Sequence, residues 1–256
     1  MTMPAAFFGH GTPMYAIAKN RYTEAWRAMA DSMPRPRAIV SVSAHWYTRG
    51  TGVTANERQK TIHDFGGFPQ ELFDIEYPAP GDPALAERVQ KLLQPVQVHS
   101  DRSWGLDHGT WSVLRHAYPE ADVPIIQLSI DGTQEPGFHY EVGERLRPLR
   151  EEGVLVAGFG NVVHNLRYMN RGESEPAYDW AARFQARVHE ALEKRDHDTL
   201  IHFERLGRDA ELSVPTPDHY LPLLYIIGAQ RDGETASIPV EGIDMGSVSM
   251  LSFVVH

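Results

Sequence analysis

Ala38-Ile39-Val40-Ser41-Val42-Ser43-Ala44-His45-Trp46 decides how the chain is read, because it predicts a buried strand that ends on a histidine. Ile39, Val40 and Val42 are β-branched, Ser41 and Ser43 are small, and no formal charge follows until Arg49. That pattern suits a central strand covered on both faces. His45 then stands at the strand's carboxyl end, where open α/β sheets collect ligands. Two readings fit it: a metal-binding or acid/base side chain, or a histidine that only caps the strand by hydrogen bonding.

Working outward, Ala5 to Phe8 is a short apolar run that breaks into Gly9-His10-Gly11-Thr12-Pro13-Met14. It predicts a first strand followed by a turn whose glycines let a ligand approach the backbone. An amphipathic helix is expected over residues 22–33, stopped by Pro34 and Pro36. Beyond the anchor strand, Thr61-Ile62-His63-Asp64-Phe65-Gly66-Gly67-Phe68-Pro69 and Tyr77-Pro78-Ala79-Pro80-Gly81 are too rich in Gly, Pro and aromatics for regular elements. They suit a pocket lining or a pinned surface loop.

Further helices are expected over residues 83–94, 113–117, 140–152 (kinked or divided at Pro148), 179–194, 199–206 and 223–227. Strands are expected at 96–98, 124–130, 154–158, 238–240 and 248–255, and a solvated loop at 172–176. Strand-like and helical segments thus alternate, which predicts an α/β class: a single-domain α/β/α sandwich around a mainly parallel mixed sheet, with residues 1–256 as one catalytic domain.

Composition narrows the function. Lys plus Arg number 24 against 34 Asp plus Glu, a formal charge of −10, so a phosphate-tracking or anionic-membrane surface is not expected and the partner is a small molecule. The absence of cysteine excludes disulfides, thiolate zinc sites and cysteine nucleophiles. The N-terminal run lacks a basic region and is too short for a signal peptide, and no segment has the length of a membrane span, so a cytoplasmic protein is expected. No GxSxG elbow, GxGxxG fingerprint or phosphate loop is present.

Of the thirteen histidines, His63 belongs to the aromatic segment quoted above, and twelve remain to be sorted. His99, His116, His139, His189, His197, His202 and His256 lie in ordinary helical or polar sequence and read as packed or solvated. His10, His45, His108, His164 and His219 fall instead at strand exits, in glycine-rich turns or at a helix start. Several neutral imidazoles in one place suit Zn, Fe, Cu or Ni rather than Mg or Ca. No local HExxH or HxH pattern fixes two of them on one element, so a metal-free acid/base pocket and coincidence stay open at this point.

The motifs Gly9-His10-Gly11-Thr12-Pro13-Met14, Ser43-Ala44-His45-Trp46, Thr61-Ile62-His63-Asp64-Phe65, Asp107-His108-Gly109, Gly160-Asn161-Val162-Val163-His164-Asn165 and Pro217-Asp218-His219-Tyr220-Leu221-Pro222-Leu223 resemble, in order, those of the DOPA 4,5-dioxygenase family. This is a branch of the class III extradiol ring-cleavage dioxygenases. The resemblance covers nearly the whole chain and implies an α/β sandwich, a non-haem iron centre, and insertion of dioxygen into a catechol ring beside its two hydroxyls. It implies His10, His45 and His219 as metal ligands, His164 as a further ligand or the acid/base, and His108 as an acid/base or substrate contact. Fe(II) is the implied metal for activity, and zinc is expected in the protein as isolated because it outcompetes iron at nitrogen sites.

The implied partners are a small catechol, DOPA or a relative, and dioxygen, with no nucleic acid and no membrane; the oligomer is a monomer or a small homo-oligomer. Phe65, Trp104 and Trp111 are expected to help form the pocket. Asp218 and His219 are adjacent, and neighbours on a helix point about 100° apart, so only one of them faces a metal. The resemblance favours His219. Two rival readings are a zinc hydrolase on the same scaffold, using metal-generated hydroxide, and a non-catalytic binding module.

Overall fold

The computed structural model describes residues 2–170 and 176–256. The chain begins with β1 (Ala5–Gly9), α1 (Arg21–Ser32), β2 (Ala38–Thr48) and β3 (Thr51–Thr54). There follow α2 (Gln70–Phe73), α3 (Pro83–Leu93), β4 (Val98–Asp101), α4 (His108–Ala117), β5 (Ile125–Asp131), α5 (Pro136–Glu151) and β6 (Val154–Gly160). The last part holds α6 (Asp179–Lys194), α7 (His197–Ile201), α8 (Arg208–Ser213), a 3₁₀ turn (Pro217–His219), α9 (Leu221–Gly228), β7 (Ala236–Val240), β8 (Ile243–Asp244), β9 (Val248–Ser249) and β10 (Ser252–Val255).

Eight strands form one sheet in the order β4-β3-β5-β2-β6-β1-β10-β7. Its centre, β5-β2-β6-β1, is parallel throughout; β10 and β7 close one side antiparallel, and β3 meets β5 antiparallel. The expected mainly parallel mixed sheet is therefore present. Alternate residues of β2 serve opposite faces, as the pleat dictates. Val40 and Val42 enter an apolar cluster with residues of α3, α5, α6 and α9, while Ile39 enters a second cluster with residues of α1 and α4. Helices on both faces explain why the strand's sequence is apolar in both phases.

The boundaries differ from expectation in instructive ways. β2 does not end at His45 but continues to Thr48, with a register irregularity between Val42 and Tyr47. β3 was not expected from Thr51-Gly52-Val53-Thr54, where Val53 alone offers an apolar signal. Pro148 lies inside α5 without dividing it, three residues from its end. The expected helix at 199–206 is α7 and a 3₁₀ turn, and Gly207 (φ +74°) separates them from α8. The strand expected at 248–255 is β9 and β10, the first pairing with β8. Of the loop expected at 172–176, residues 172–175 lie outside the described residues. Among the described residues no helix is long and apolar enough to cross a membrane.

One buried ion pair ties the ends of several elements together. Arg150, 1% exposed, donates Nε to the Met3 carbonyl (2.7 Å) and Nη1 to the Ala229 carbonyl (2.6 Å). Its two Nη atoms also meet the Glu234 carboxylate at 2.7 and 2.8 Å. Burial works against the charge on Glu234, but Arg150 and the Arg231 backbone N–H outweigh it and hold the carboxyl below its usual range. A group with a depressed folded value stabilises above its unfolded value and loses that contribution as pH falls through the folded one. Glu234→Ala, which strands a buried guanidinium, is expected to cost about 3–5 kcal/mol at pH 7. Urea melts at stepped pH check this, and the wild-type advantage over the variant is expected to shrink below about pH 4.3.

Candidate metal centre and active site

His10 follows β1 directly, and its backbone N–H donates to the Gly160 carbonyl at the end of β6 (3.3 Å). His45 sits in β2 within the span of its register irregularity. The small serines before it are not filler. Ser41 Oγ shares a hydrogen bond with Thr110 Oγ1 (2.8 Å), and Ser43 Oγ donates to Asp107 Oδ1 (2.7 Å). Asp107 also caps α4 by accepting from the Thr110 N–H (3.2 Å) and receives Gln127 Nε2 from β5. This fully buried network fastens the start of α4 to the sheet, and His108 is the helix's first residue.

Two glycines permit the close approaches. A Cβ at Gly109 would lie 2.8 Å from both His45 Cδ2 and Ser43 Oγ, and one at Gly160 would lie 2.2 Å from the His219 carbonyl oxygen. That carbonyl accepts the Asn161 N–H (2.8 Å), which docks the 3₁₀ turn carrying His219 against the end of β6.

The outcome is a triangle of imidazoles. Ring centroids of His10 and His45 are 5.1 Å apart, those of His10 and His219 5.4 Å, and those of His45 and His219 5.1 Å. One nitrogen from each lies within 4.8 Å of the others. In all three rings Nδ1 has a neighbour to hold it. His10 Nδ1 is 3.1 Å from the Gly11 carbonyl, His45 Nδ1 is 3.1 Å from Asp64 Oδ2, and His219 Nδ1 bonds Asp218 Oδ2. Nε2 of all three is buried and has no hydrogen-bond partner among the described residues.

Burial pushes the pKa of His10 and of His219 well down, and the neighbouring histidines add to it. His45 goes the other way: burial opposes its charge, but Asp64, Asp107 and Asp218 outweigh burial. Neutral His10 and His219 offer lone pairs, and a leftover buried acceptor costs roughly 1–3 kcal/mol. One cation of a metal that prefers nitrogen donors would satisfy all three at once, so the residues present fit such a group. Asp218 Oδ2 bonds His219 Nδ1 and so orients that ring.

Two further histidines flank the triangle. The His108 ring is 4.0 Å from that of His45 and 5.8 Å from that of His10, and burial holds its pKa down. His164, after β6, stacks on His219 with centroids 3.5 Å apart and planes 8° apart; burial holds it down to about 4. Its nitrogens group with Asp218 and His219 and not with the triangle. All five singled-out histidines are therefore brought together. Of the aromatics expected in the pocket, Phe65 meets His108 edge-on at 5.5 Å, and Trp111 lies buried behind Phe65. Trp104 stacks on Trp46 instead (5.6 Å).

The reading from sequence assigned no role to Asp64, Asp107 or Gln127. Asp64 had a signal, since it lies in one of the quoted motifs. Gln127 had none, being one polar residue in an apolar strand.

The family described as the catalytic LigB subunit of aromatic ring-opening dioxygenase matches residues 4–250 of the chain. The chain is 52% identical, over 98% of its length and 93% of the relative's, to the protein named 4,5-DOPA dioxygenase extradiol of Escherichia coli (strain K12). It is 36% identical to the protein of the same name from Beta vulgaris, over 96% of this chain and 94% of that one. The crystal structure of an uncharacterised protein from Escherichia coli K12 superposes with a TM-score of 0.87 at 47% identity, covering 99% of this chain and 100% of that one.

Gly109→Ala tests the tight fit between α4 and β2. Its methyl must displace His45 or Ser43, and overpacking of this kind typically costs about 1–3 kcal/mol. A lower melting temperature, with shifted ring resonances for His45 in NMR spectra, is the expected outcome.

Proposed function

The chain belongs to the LigB family of aromatic ring-opening dioxygenases and is an extradiol dioxygenase, and from this we propose that it cleaves DOPA at the 4,5 bond, or a related small catechol, with Fe(II) bound by His10, His45 and His219. The observation that carries the metal assignment is that three rings, each with a buried Nε2 unpartnered among the described residues, bring one nitrogen apiece within 4.8 Å of one another. His10, His45 and His219 would hold the metal without filling its coordination shell, as in facial-triad oxygenases. When bound, the metal acts as a Lewis acid that lowers the catechol pKa and gives electron density a path from the ring to dioxygen.

The protein's own side chains do the rest. His164 stands beside His219 on the side of Asp218, outside the triangle, which suits a proton carrier better than a fourth ligand. It would take a proton from a substrate hydroxyl and later return one to the oxygen atom that departs as the O–O bond breaks. His108, close to both His10 and His45, hydrogen-bonds the substrate or shares the proton work. Phe65 provides an aromatic wall beside it.

The whole chain acts as one catalytic domain, in the cytoplasm, with zinc as the metal found after purification. The zinc-hydrolase alternative is not favoured, since the names of the relatives from Escherichia coli and Beta vulgaris carry dioxygenase activity.

Anaerobic loading with Fe(II), then DOPA and air, is expected to consume oxygen and yield a yellow ring-opened product. No oxygen uptake with any catechol in a panel would overturn the proposal. His164→Ala is expected to lower kcat by about 10²–10⁴-fold while metal content stays at one equivalent. His219→Ala is expected to abolish metal binding in a zinc titration, whereas Asp218→Ala weakens it about 10- to 100-fold. The reverse result for the last pair would make Asp218 the ligand.

A further inference from the structure

The geometry points to Asp64 as a positioning residue that sets the tautomer of His45 and of His108 at once, through a single carboxylate oxygen. Oδ2 lies 3.1 Å from His45 Nδ1 and 3.0 Å from His108 Nδ1, while Oδ1 accepts the His108 backbone N–H (2.8 Å). An ionised carboxylate has acceptor capacity for all three donors and no proton to offer. His108 Nδ1 does not complete a hydrogen bond among the described residues, so at this separation the preference is electrostatic: a ring lone pair facing the carboxylate oxygen would be repelled, which favours Nδ1–H in each imidazole and leaves the lone pair on Nε2. For His45, Nε2 is the buried, unpartnered atom of the triangle. For His108, the same tautomer makes Nε2 an acceptor for a substrate hydroxyl.

The segment that carries Asp64 is held on both sides, so the carboxylate is presented rigidly. The Ile62 N–H donates to the Leu106 carbonyl (2.8 Å), and the Ile62 carbonyl accepts Trp111 Nε1 (2.9 Å). Thr61 Oγ1 accepts the Tyr77 N–H (2.8 Å), and His63 Nε2 bonds the Ile75 carbonyl (3.0 Å). Trp111 and Leu106 flank the start of α4, so the same anchors hold His108. One carboxylate thus couples a residue that holds the metal to a residue that meets the substrate. A second cation between His45, Asp64 and His108, whose donor atoms also lie within 4.8 Å of one another, is the competing use of the same atoms. It would require both Nδ1 protons to leave.

This inference rests on the proposed function for the roles of His45 and His108, yet its test reads tautomers and metal affinity without any turnover. In the zinc-loaded protein, long-range ¹H–¹⁵N spectra are expected to show both His45 and His108 as the Nδ1–H tautomer. Asp64→Asn, which keeps the shape but replaces one acceptor oxygen by an NH₂ donor, is expected to retain its melting temperature. It should also weaken zinc binding about 10- to 100-fold and move His108 toward the Nε2–H form. At saturating Fe(II), its kcat falls more than its KM for the catechol rises. An Nε2–H tautomer for His108 in the wild type, or wild-type zinc affinity in Asp64→Asn, would overturn the inference. So would two equivalents of zinc in the wild type, the second lost in the variant. Absence of oxygen uptake by wild-type protein that still shows the expected tautomers and zinc affinities would instead count against the dioxygenase reading alone.

Discussion

Three buried ring nitrogens without a hydrogen-bond partner among the described residues govern this molecule. They are Nε2 of His10, His45 and His219, from three separate parts of the chain, and one ring nitrogen of each residue lies within 4.8 Å of the others. Leaving a buried acceptor unmatched is unfavourable, and placing three together compounds it. The arrangement persists because the rest of the fold holds the bearing backbones rigidly, by a parallel sheet whose central strands are covered on both sides. The chemistry of a nitrogen-preferring metal is thus prepared before the ion arrives, and the sheet bears the cost of the preparation.

The sheet's contribution is specific. β1 and β2 are not neighbours; β6 lies between them and pairs with both in parallel. Its glycines at 158 and 160 let another backbone come down onto its end, at the distances a Cβ would forbid. The space above β6 is therefore where residues from before and after it in the chain assemble. The acidic groups are distributed with the same economy. Asp107 belongs to the helix anchor, Asp64 to two imidazoles and Asp218 to a third, so each has a different structural partner.

Much of this was legible in the residues, for reasons that can be stated. The β-branched run before His45 has one physical home in an α/β protein, and glycines around His10, His108 and His164 mark turns where side chains gather. Periodicity could not reveal β3, which holds one apolar residue, nor the register irregularity that lets β2 run past His45 to Thr48. The polar network beneath the site was hidden for a different reason. Ser41, Ser43 and Gln127 alternate with apolar residues in ordinary strands, and what they bond is a helix start brought in from elsewhere. Asp64 stood in plain view within a motif, but only proximity in space links it to His45 and His108, residues 19 and 44 positions away.

The docking of the His219 carbonyl on the Asn161 N–H has an evolutionary reach. Because the last of the three imidazoles takes its place from the sheet, the long stretch between Asn161 and Pro217 is relieved of any duty to carry it there. Apart from His164 and the core residues of α6, α7 and α8, the connecting loops of that stretch can vary in length while the triangle stays put. Diversification can then proceed in those loops, with His164 and the triangle inherited unaltered.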